Sequence, residues 1–194
     1  MNIIIAATGA TGIIYTVRIL EKLKDIPEVK THLIMSEWSM VNLGIETSYD
    51  VEYVKSLSDY VYSSKDLSAK IASGSFLIDG MIILPCSMKT LSAISNGYSD
   101  NLIARAADVT LKECRKLVIC PRETPLSPIH LENMLKLSRL GVSIMPPMPG
   151  FYSNPKTIDD IVDHHVMRVL DQFKINIYNE KRWGGCVVNE NREI

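Results

Sequence analysis

Apolar and polar positions along the chain follow two alternating patterns. Short runs rich in branched apolar residues predict strands at 2–7, 29–36, 80–87, 116–121 and 142–147. Apolar residues at helical spacing predict helices at 13–24, at 40–46, directly after Ser87, at 101–115, from Pro128 to a stop at Gly141, and from Thr157 to Phe173. The polar, serine-rich segment 48–77 predicts mobile connecting structure with one helical piece. Apolar strands that alternate with helices predict a single-domain α/β fold with a parallel sheet covered on both faces.

Three of the predicted helices begin after a residue whose hydroxyl can cap a helix. These residues are Ser87, Ser127 and Thr157, and Pro128 takes the first helical position after Ser127. The third cap bears on the segment DDIVD at 159–163, which matches the D-D-x-x-D pattern that binds magnesium diphosphate in many isoprenoid synthases. Acidic residues in a first turn also favour the helix dipole. We prefer this structural interpretation, because the chain has no second acidic cluster to complete a metal site.

Composition and charge exclude several classes of function. The chain has 194 residues, 46% hydrophobic and 22% charged, which suits one domain with a substantial core. A net charge of −1 provides no basic field for nucleic acid or an anionic membrane surface. No apolar run approaches the roughly 20 residues of a membrane span. The scattered cysteines predict reduced thiols and a cytoplasmic location; they are Cys86, Cys114, Cys120 and Cys186.

Polar residues follow several predicted strands. They lie at residues 8–12, at Ser36, at residues 86–90 and at residues 121–123. In open α/β sheets, ligands bind beyond the carboxyl ends of the strands. The sequence therefore predicts that these four segments converge on one edge of the sheet.

The opening turn reads Gly9-x-x-Gly12 between a strand and a helix. A dinucleotide fingerprint needs one more glycine, and Ala7 occupies that position. Two interpretations stay open: a tight strand-to-helix turn, or a phosphate site at a helix start assisted by the Thr8 and Thr11 hydroxyls. The segment CSMKT likewise allows a simple helix cap, an anionic ligand, or both.

Charged residues cluster in two later segments. Arg105 and Lys112 are seven residues apart and share one helical face, while Arg122 and Glu123 directly follow an apolar strand. Such cations suggest phosphate recognition, and a carboxylate among them suggests acid–base chemistry. Surface ion pairing is the alternative. The apolar, proline-rich segment at 145–155 predicts an interface or a pocket wall, to which Tyr152 and Arg168 could add.

Taken together, these segments resemble a known family. TGATG, CSMKTLSAI, NLIARAADVTLKE, PRETPLSPIHLENMLKL and PPMPGFY look like the UbiX-type flavin prenyltransferases, and more closely like the B subunit of bacterial hydroxyarylic (phenolic) acid decarboxylase systems. The resemblance covers residues 1–183 and leaves 184–194 as a C-terminal tail without a readable motif. It implies a flavodoxin-like Rossmann three-layer sandwich and a homo-oligomer, typically a dodecamer, with active sites at subunit contacts.

The resemblance also implies a metal-independent reaction. A dimethylallyl group passes from dimethylallyl monophosphate to reduced FMN, and the prenylated FMN becomes the cofactor of a UbiD-type aromatic acid decarboxylase. The implied FMN-binding residues are Gly9, Ala10, Thr11, Ser36, Ser87, Met88, Lys89, Thr90 and Arg122. The implied prenyl-phosphate residues are Tyr152 and Arg168, with Lys112 and Arg105; Glu46 and Glu123 form the implied acid–base pair, and Trp183 closes the site.

Two other functions compete with this one. A flavin-dependent cysteine decarboxylase would carry a P-x-M-N-x-x-M-W segment and an early catalytic histidine, but the only early histidine, His32, lies inside a predicted strand. A non-catalytic subunit that carries FMN within a decarboxylase complex is the second. The presence of Arg122, Glu123, Lys112 and Tyr152 argues against it. Between ubiquinone synthesis and aromatic acid decarboxylation, the sequence favours the latter.

Overall fold

The computed structural model describes residues 1–177 and residue 182. The strands are β1 (Asn2–Ala7), β2 (Lys30–Met35), β3 (Tyr60–Ser63), β4 (Gly80–Cys86), β5 (Lys116–Pro121) and β6 (Ser143–Ile144). The helices are α1 (Ile13–Lys24), α2 (Glu37–Glu46), α3 (Val51–Ser56), α4 (Met88–Ser95), α5 (Leu102–Lys112), α6 (Pro128–Arg139) and α7 (Ile158–Asp171). Short 3-10 turns lie at Lys70–Ala72 and Phe151–Ser153.

The strands form one sheet in the order β3-β2-β1-β4-β5-β6, and every pairing is parallel. The chain moves outward from β1 through β2 to β3, then returns to the other side of β1 with β4. Ile3 accordingly lies opposite Thr31 on one side and Gly80 on the other. The strand order therefore reverses between β1 and β4, which is where ligands of doubly wound folds bind.

Helices cover both faces of this sheet. Alternate side chains of β1 point to opposite faces, so Ile3 and Ile5 lie in one core with α1 and α7, while Ile4 lies in the other with α4, α5 and α6. All three isoleucines are fully buried. The arrangement confirms the predicted flavodoxin-like three-layer sandwich.

The segment 48–77 departs from its prediction. Its helical piece is present as α3, but the segment also contributes β3, a strand that the sequence analysis missed. β3 lies at the edge of the sheet, and Tyr60 and Val61 are both exposed. An edge strand with solvent-facing side chains carries no apolar run, so the pattern that revealed the buried strands was missing here. Other boundaries shift by a few residues: α2 begins at Glu37, and β6 is confined to Ser143–Ile144.

The start of α7 confirms the structural interpretation of DDIVD. The Thr157 hydroxyl accepts a hydrogen bond from the Asp160 amide at 3.1 Å, and the Asp160 carboxylate accepts one from the Thr157 amide at 3.0 Å. Arg18 of α1 contacts Asp159 at 2.9 Å and Asp163 at 2.6 Å. These carboxylates therefore fasten α7 to α1. None of the helices described is both long enough and apolar enough to cross a membrane.

Candidate active site

Thr8 joins the carboxyl ends of β1 and β4. Its amide and its hydroxyl both donate to the Pro85 carbonyl, at 3.1 Å and 3.0 Å, and its hydroxyl accepts from the Ser87 amide at 2.7 Å. The side chain is only 2% exposed. The Thr8 hydroxyl therefore uses its hydrogen bonds to hold β1 and β4 together at the point where the strand order reverses. It also fixes the loop that begins at Ser87.

The opening turn packs tightly against two other elements. A Cβ on Gly9 would lie 2.7 Å from the Cβ of Trp38, so only glycine allows this approach to α2. Gly12 has a φ of +101°, a conformation that favours glycine. The Glu46 carboxylate accepts from the amides of Gly12 at 2.8 Å and Ile13 at 3.2 Å. The start of α1 is thus capped by Glu46, and these two amides bind a carboxylate of the chain itself.

Three other helix starts meet beside this turn, and each is capped by its own side chain. The Ser36 hydroxyl accepts from the Ser39 amide at the start of α2, and the Ser87 hydroxyl accepts from the Thr90 amide at the start of α4. Asn101 caps α5 in the same way. Capped helix starts carry partial positive charge and suit an anionic ligand.

The three starts line one cleft of about 490 Å³ at the carboxyl edge of the sheet. The lining residues are Thr8, Gly9, Ser36, Glu37, Trp38, Ser64, Lys65, Ser87, Lys89, Thr90, Ala93, Asp100, Asn101 and Ile103. Five of the FMN-binding residues suggested by the sequence are therefore brought together: Gly9, Ser36, Ser87, Lys89 and Thr90.

The other four suggested FMN residues lie around this cleft without lining it. The Ala10 carbonyl accepts from Asn42 at 3.1 Å, and Thr11 is exposed on the turn. Met88 packs against the core beneath α4. The Arg122 amide donates to the Cys86 carbonyl at 3.1 Å, which places Arg122 at the end of β5 beside the end of β4. The charged side chain of Arg122 is exposed.

Sequence reasoning missed several lining residues. Asn101 carries the signal of a helix cap, because it precedes a helical pattern, and that signal could have found it. Ser64 and Lys65 follow β3. Because the sequence analysis did not predict that edge strand, it could not place these two residues at the carboxyl edge of the sheet. Lys65 contacts Glu37 at 2.5 Å across the cleft rim. This hydrogen-bonded pairing lowers the pKa of Glu37 and raises the pKa of Lys65.

The predicted phosphate-binding cations of α5 have partners of their own in the single chain. Arg105 donates to the Ala72 carbonyl at 3.1 Å and to Asp108 at 2.8 Å, and Lys112 pairs with Glu113. Neither cation lines the cleft. Within one chain, α5 thus shows the ion pairing that the sequence left as the alternative.

The remaining predicted residues lie on the surface of the single chain. Glu123 is exposed after β5, and its carboxylate accepts from the Thr124 amide at 3.0 Å. The Tyr152 hydroxyl lies 2.7 Å from Nε2 of His164, and Arg168 pairs with Asp171 at 3.2 Å. Trp183 lies outside the described residues, as do the predicted boundary at 183 and the tail 184–194.

The proline-rich segment exposes large apolar side chains. Met148 is 70% exposed, Phe151 73% and Tyr152 53%. A surface of this kind is typical of a contact with another protein surface. Among residues 1–177 and 182, no group of three His, Cys, Asp or Glu side chains is placed to hold a metal ion.

Comparison with known proteins identifies the family. The profile of the Flavoprotein family matches residues 1–170. The flavin prenyltransferase LpdB of Lactiplantibacillus plantarum is 54% identical over 184 residues, which cover 95% of this chain and 98% of that protein. The chain belongs to the UbiX-like flavin prenyltransferases.

Solved structures of UbiX-like proteins share the fold closely. A dodecameric FMN-dependent UbiX-like decarboxylase from Escherichia coli O157:H7 superimposes with a TM-score of 0.94 at 54% identity, covering 95% of this chain and all of that one. The UbiX protein AnUbiX (PadA1), solved with FMN and dimethylallyl pyrophosphate, gives a TM-score of 0.91 at 46% identity and covers 95% and 98% of the two chains. The resemblance read from the sequence is confirmed.

Proposed function

We propose that this chain is a flavin prenyltransferase. It joins the dimethylallyl group of dimethylallyl monophosphate to reduced FMN, closes a further ring on the flavin, and releases phosphate. The observation that carries this proposal is the cleft at the reversal of strand order, where three capped helix starts meet. The family to which the chain belongs indicates the reaction, because a fold alone does not specify one.

The cleft suits FMN in size and in its hydrogen-bond donors. A cavity of about 490 Å³ falls within the range typical of small-molecule sites. Ser36, Ser87 and Thr90 offer hydroxyls, and the positive ends of α2, α4 and α5 favour the flavin phosphate. Lys89 adds a cation at the same edge. Ala10, Thr11, Met88 and Arg122 are proposed to contact the flavin from around the cleft.

The prenyl phosphate is proposed to bind between copies of the chain. Arg105, Lys112, Tyr152 and Arg168 would hold the phosphate, and preorganised cations of this kind stabilise the charge on a leaving group without a metal. None of the four lines the cleft of its own chain. We therefore assign them to a neighbouring subunit of a homododecamer, in which Met148 and Phe151 become buried. The dodecameric E. coli relative supports this assignment.

Two carboxylates are proposed to move the protons. Glu123, at the end of β5, would take the proton lost when the new ring closes. Glu46 is held by the Gly12 and Ile13 amides beside Thr11, so its carboxylate has a fixed position at the opening turn. Each must come within hydrogen-bond reach of substrate or phosphate in the assembled site. Trp183 is proposed to cover that site.

The product is proposed to serve a UbiD-type decarboxylase of hydroxyarylic acids in the cytoplasm. Prenylated FMN would leave this chain and become the partner's cofactor. A non-catalytic, FMN-carrying subunit would also bind flavin in the cleft, but it would have no use for acid–base residues. Substitution of Glu123 therefore separates these two functions.

The test is an anaerobic incubation of the assembled protein with reduced FMN and dimethylallyl monophosphate, without added metal. The extracted flavin is then weighed by mass spectrometry. We expect a flavin heavier by one five-carbon unit, no gain with Glu123→Gln, and a normal gain with Glu132→Gln, a control at a carboxylate on α6. A parallel incubation with the diphosphate identifies the donor. Unchanged FMN on protein that binds FMN, with both donors, would contradict the proposal.

A further inference from the structure

Tyr152 and His164 form a contact that the proposed reaction does not use. The Tyr152 hydroxyl lies 2.7 Å from Nε2 of His164, and the two rings meet edge to face with centroids 5.4 Å apart. Gly150 packs against both: a Cβ on Gly150 would lie 3.1 Å from the Tyr152 ring and 3.3 Å from the His164 ring. The contact joins the exposed 3-10 turn to α7, and glycine at 150 leaves room for it.

The two partners differ in how firmly they are held. His164 is only 9% exposed and is fixed by the body of α7, whereas Tyr152 is 53% exposed on a short turn. An exposed tyrosine loses side-chain freedom when it binds a ligand, and an anchor in the free protein reduces that loss. His164 is placed to be this anchor.

Burial and a nearby cation lower the pKa of His164 and keep its ring neutral near pH 7. Burial is the largest cause that lowers its pKa, the positive charge of Arg168 lowers it further, and Asp171 raises it in part. His165 is the adjacent residue on α7 and is itself buried. A neutral imidazole has one donor and one acceptor nitrogen, so it holds a hydroxyl without adding charge. With its hydrogen on Nε2, His164 donates to the Tyr152 oxygen and so fixes the position of the hydroxyl group.

We propose that His164 is a positioning residue that aims the Tyr152 hydroxyl at the phosphate of the prenyl donor. Arg168 lies one helical turn beyond His164 on α7, so the helix that carries a proposed phosphate-binding cation also anchors the proposed phosphate-binding hydroxyl. The inference rests on the proposed function, because it concerns the same phosphate. It gives a role to a histidine whose position in the sequence carried no functional signal.

The test is a double-mutant cycle in the assembled protein, with prenyl transfer measured at varied dimethylallyl monophosphate. We expect His164→Leu to raise KM for the prenyl phosphate by about fivefold, the loss of roughly one hydrogen bond, with little change in kcat and none in FMN affinity. His164→Gln, whose amide can donate to the same oxygen, should stay near the wild type. In a Tyr152→Phe background, His164→Leu should cause no further change.

Three results would overturn the inference. A wild-type KM in His164→Leu means that the anchor has no effect on phosphate binding. An equal rise in KM in the Tyr152→Phe background means that His164 acts independently of Tyr152. A His164→Gln variant as impaired as His164→Leu, although both bind FMN normally, means that shape and not the hydrogen bond matters. Wild-type protein that makes no prenylated flavin contradicts the proposed function itself, which separates the two failures.

Discussion

The proposed FMN cleft and the surface around Tyr152 are built in contrasting ways. The cleft is assembled from neighbouring strand ends and helix starts of one chain, and Thr8 ties two of those ends together. The surface around Tyr152 carries Arg168 and the exposed apolar side chains of Met148 and Phe151, and none of these residues lines the cleft. We propose from this contrast that the fold of one chain supplies the cofactor half of the site, whereas assembly supplies the substrate half.

A substitution that disrupts the oligomer should have the largest effect, because it should strongly reduce substrate turnover while leaving FMN binding intact. Phe151→Asp puts a charge on the exposed apolar segment, so we expect smaller oligomers and a fall in prenyl transfer of at least about tenfold. FMN binding should persist, because the cleft lies within one chain. Light scattering gives the mass, and flavin fluorescence gives the affinity. Lys24→Asp, at an exposed position on α1, is the control. If Phe151→Asp leaves both the oligomer mass and the prenyl transfer activity intact, the proposed need for assembly is contradicted.

Removing the Thr8 hydroxyl should damage the cleft from within. Thr8→Val leaves the partly buried Ser87 amide without its acceptor, and we expect a loss of about 1.5 kcal/mol in the free energy of unfolding, together with weaker FMN binding. Denaturant titration and FMN titration measure the two effects.

Thr110→Val is the matched control for that change. Thr110 is equally buried, but its hydroxyl only donates to the Ala106 carbonyl within α5. Its loss leaves no amide unpaired at the cleft, so FMN affinity should be unchanged. Equal FMN affinity in both variants would show that Thr8 has no special part in shaping the cleft.

Removal of one helix cap should give the smallest effect. Asn101→Ala and Thr157→Ala each remove a capping side chain, and each should destabilise the protein by about 1 kcal/mol. Only Asn101 lines the cleft, so only Asn101→Ala should also weaken FMN binding. Isothermal titration with FMN distinguishes them; similar FMN affinities would argue against a part for the α5 start in binding.

The sequence predicted the cleft better than it predicted the surface around Tyr152. Apolar strands and capping residues are local signals, so the parallel sheet and the positions of Ser36 and Ser87 could be predicted. β3 was not predicted, because an edge strand lacks that signal. Lys65 follows β3 and was therefore not predicted either. The capping of α1 by Glu46 joins residues 34 positions apart, and no local pattern encodes it. The pairing of Tyr152 with His164 likewise depends on how a turn packs against a helix.

The most direct test of the central claim is complementation between two inactive variants. Ser87→Asp retains a helix cap but sets a carboxylate against the flavin phosphate, and Arg168→Ala removes a proposed cation of the neighbouring subunit. Each variant alone should be inactive. After dissociation and joint reassembly, a mixed oligomer should recover up to about a quarter of the wild-type prenyl transfer, because some sites combine an intact cleft with an intact Arg168 from another copy. Mixed oligomers that form but stay inactive would contradict a site shared between copies.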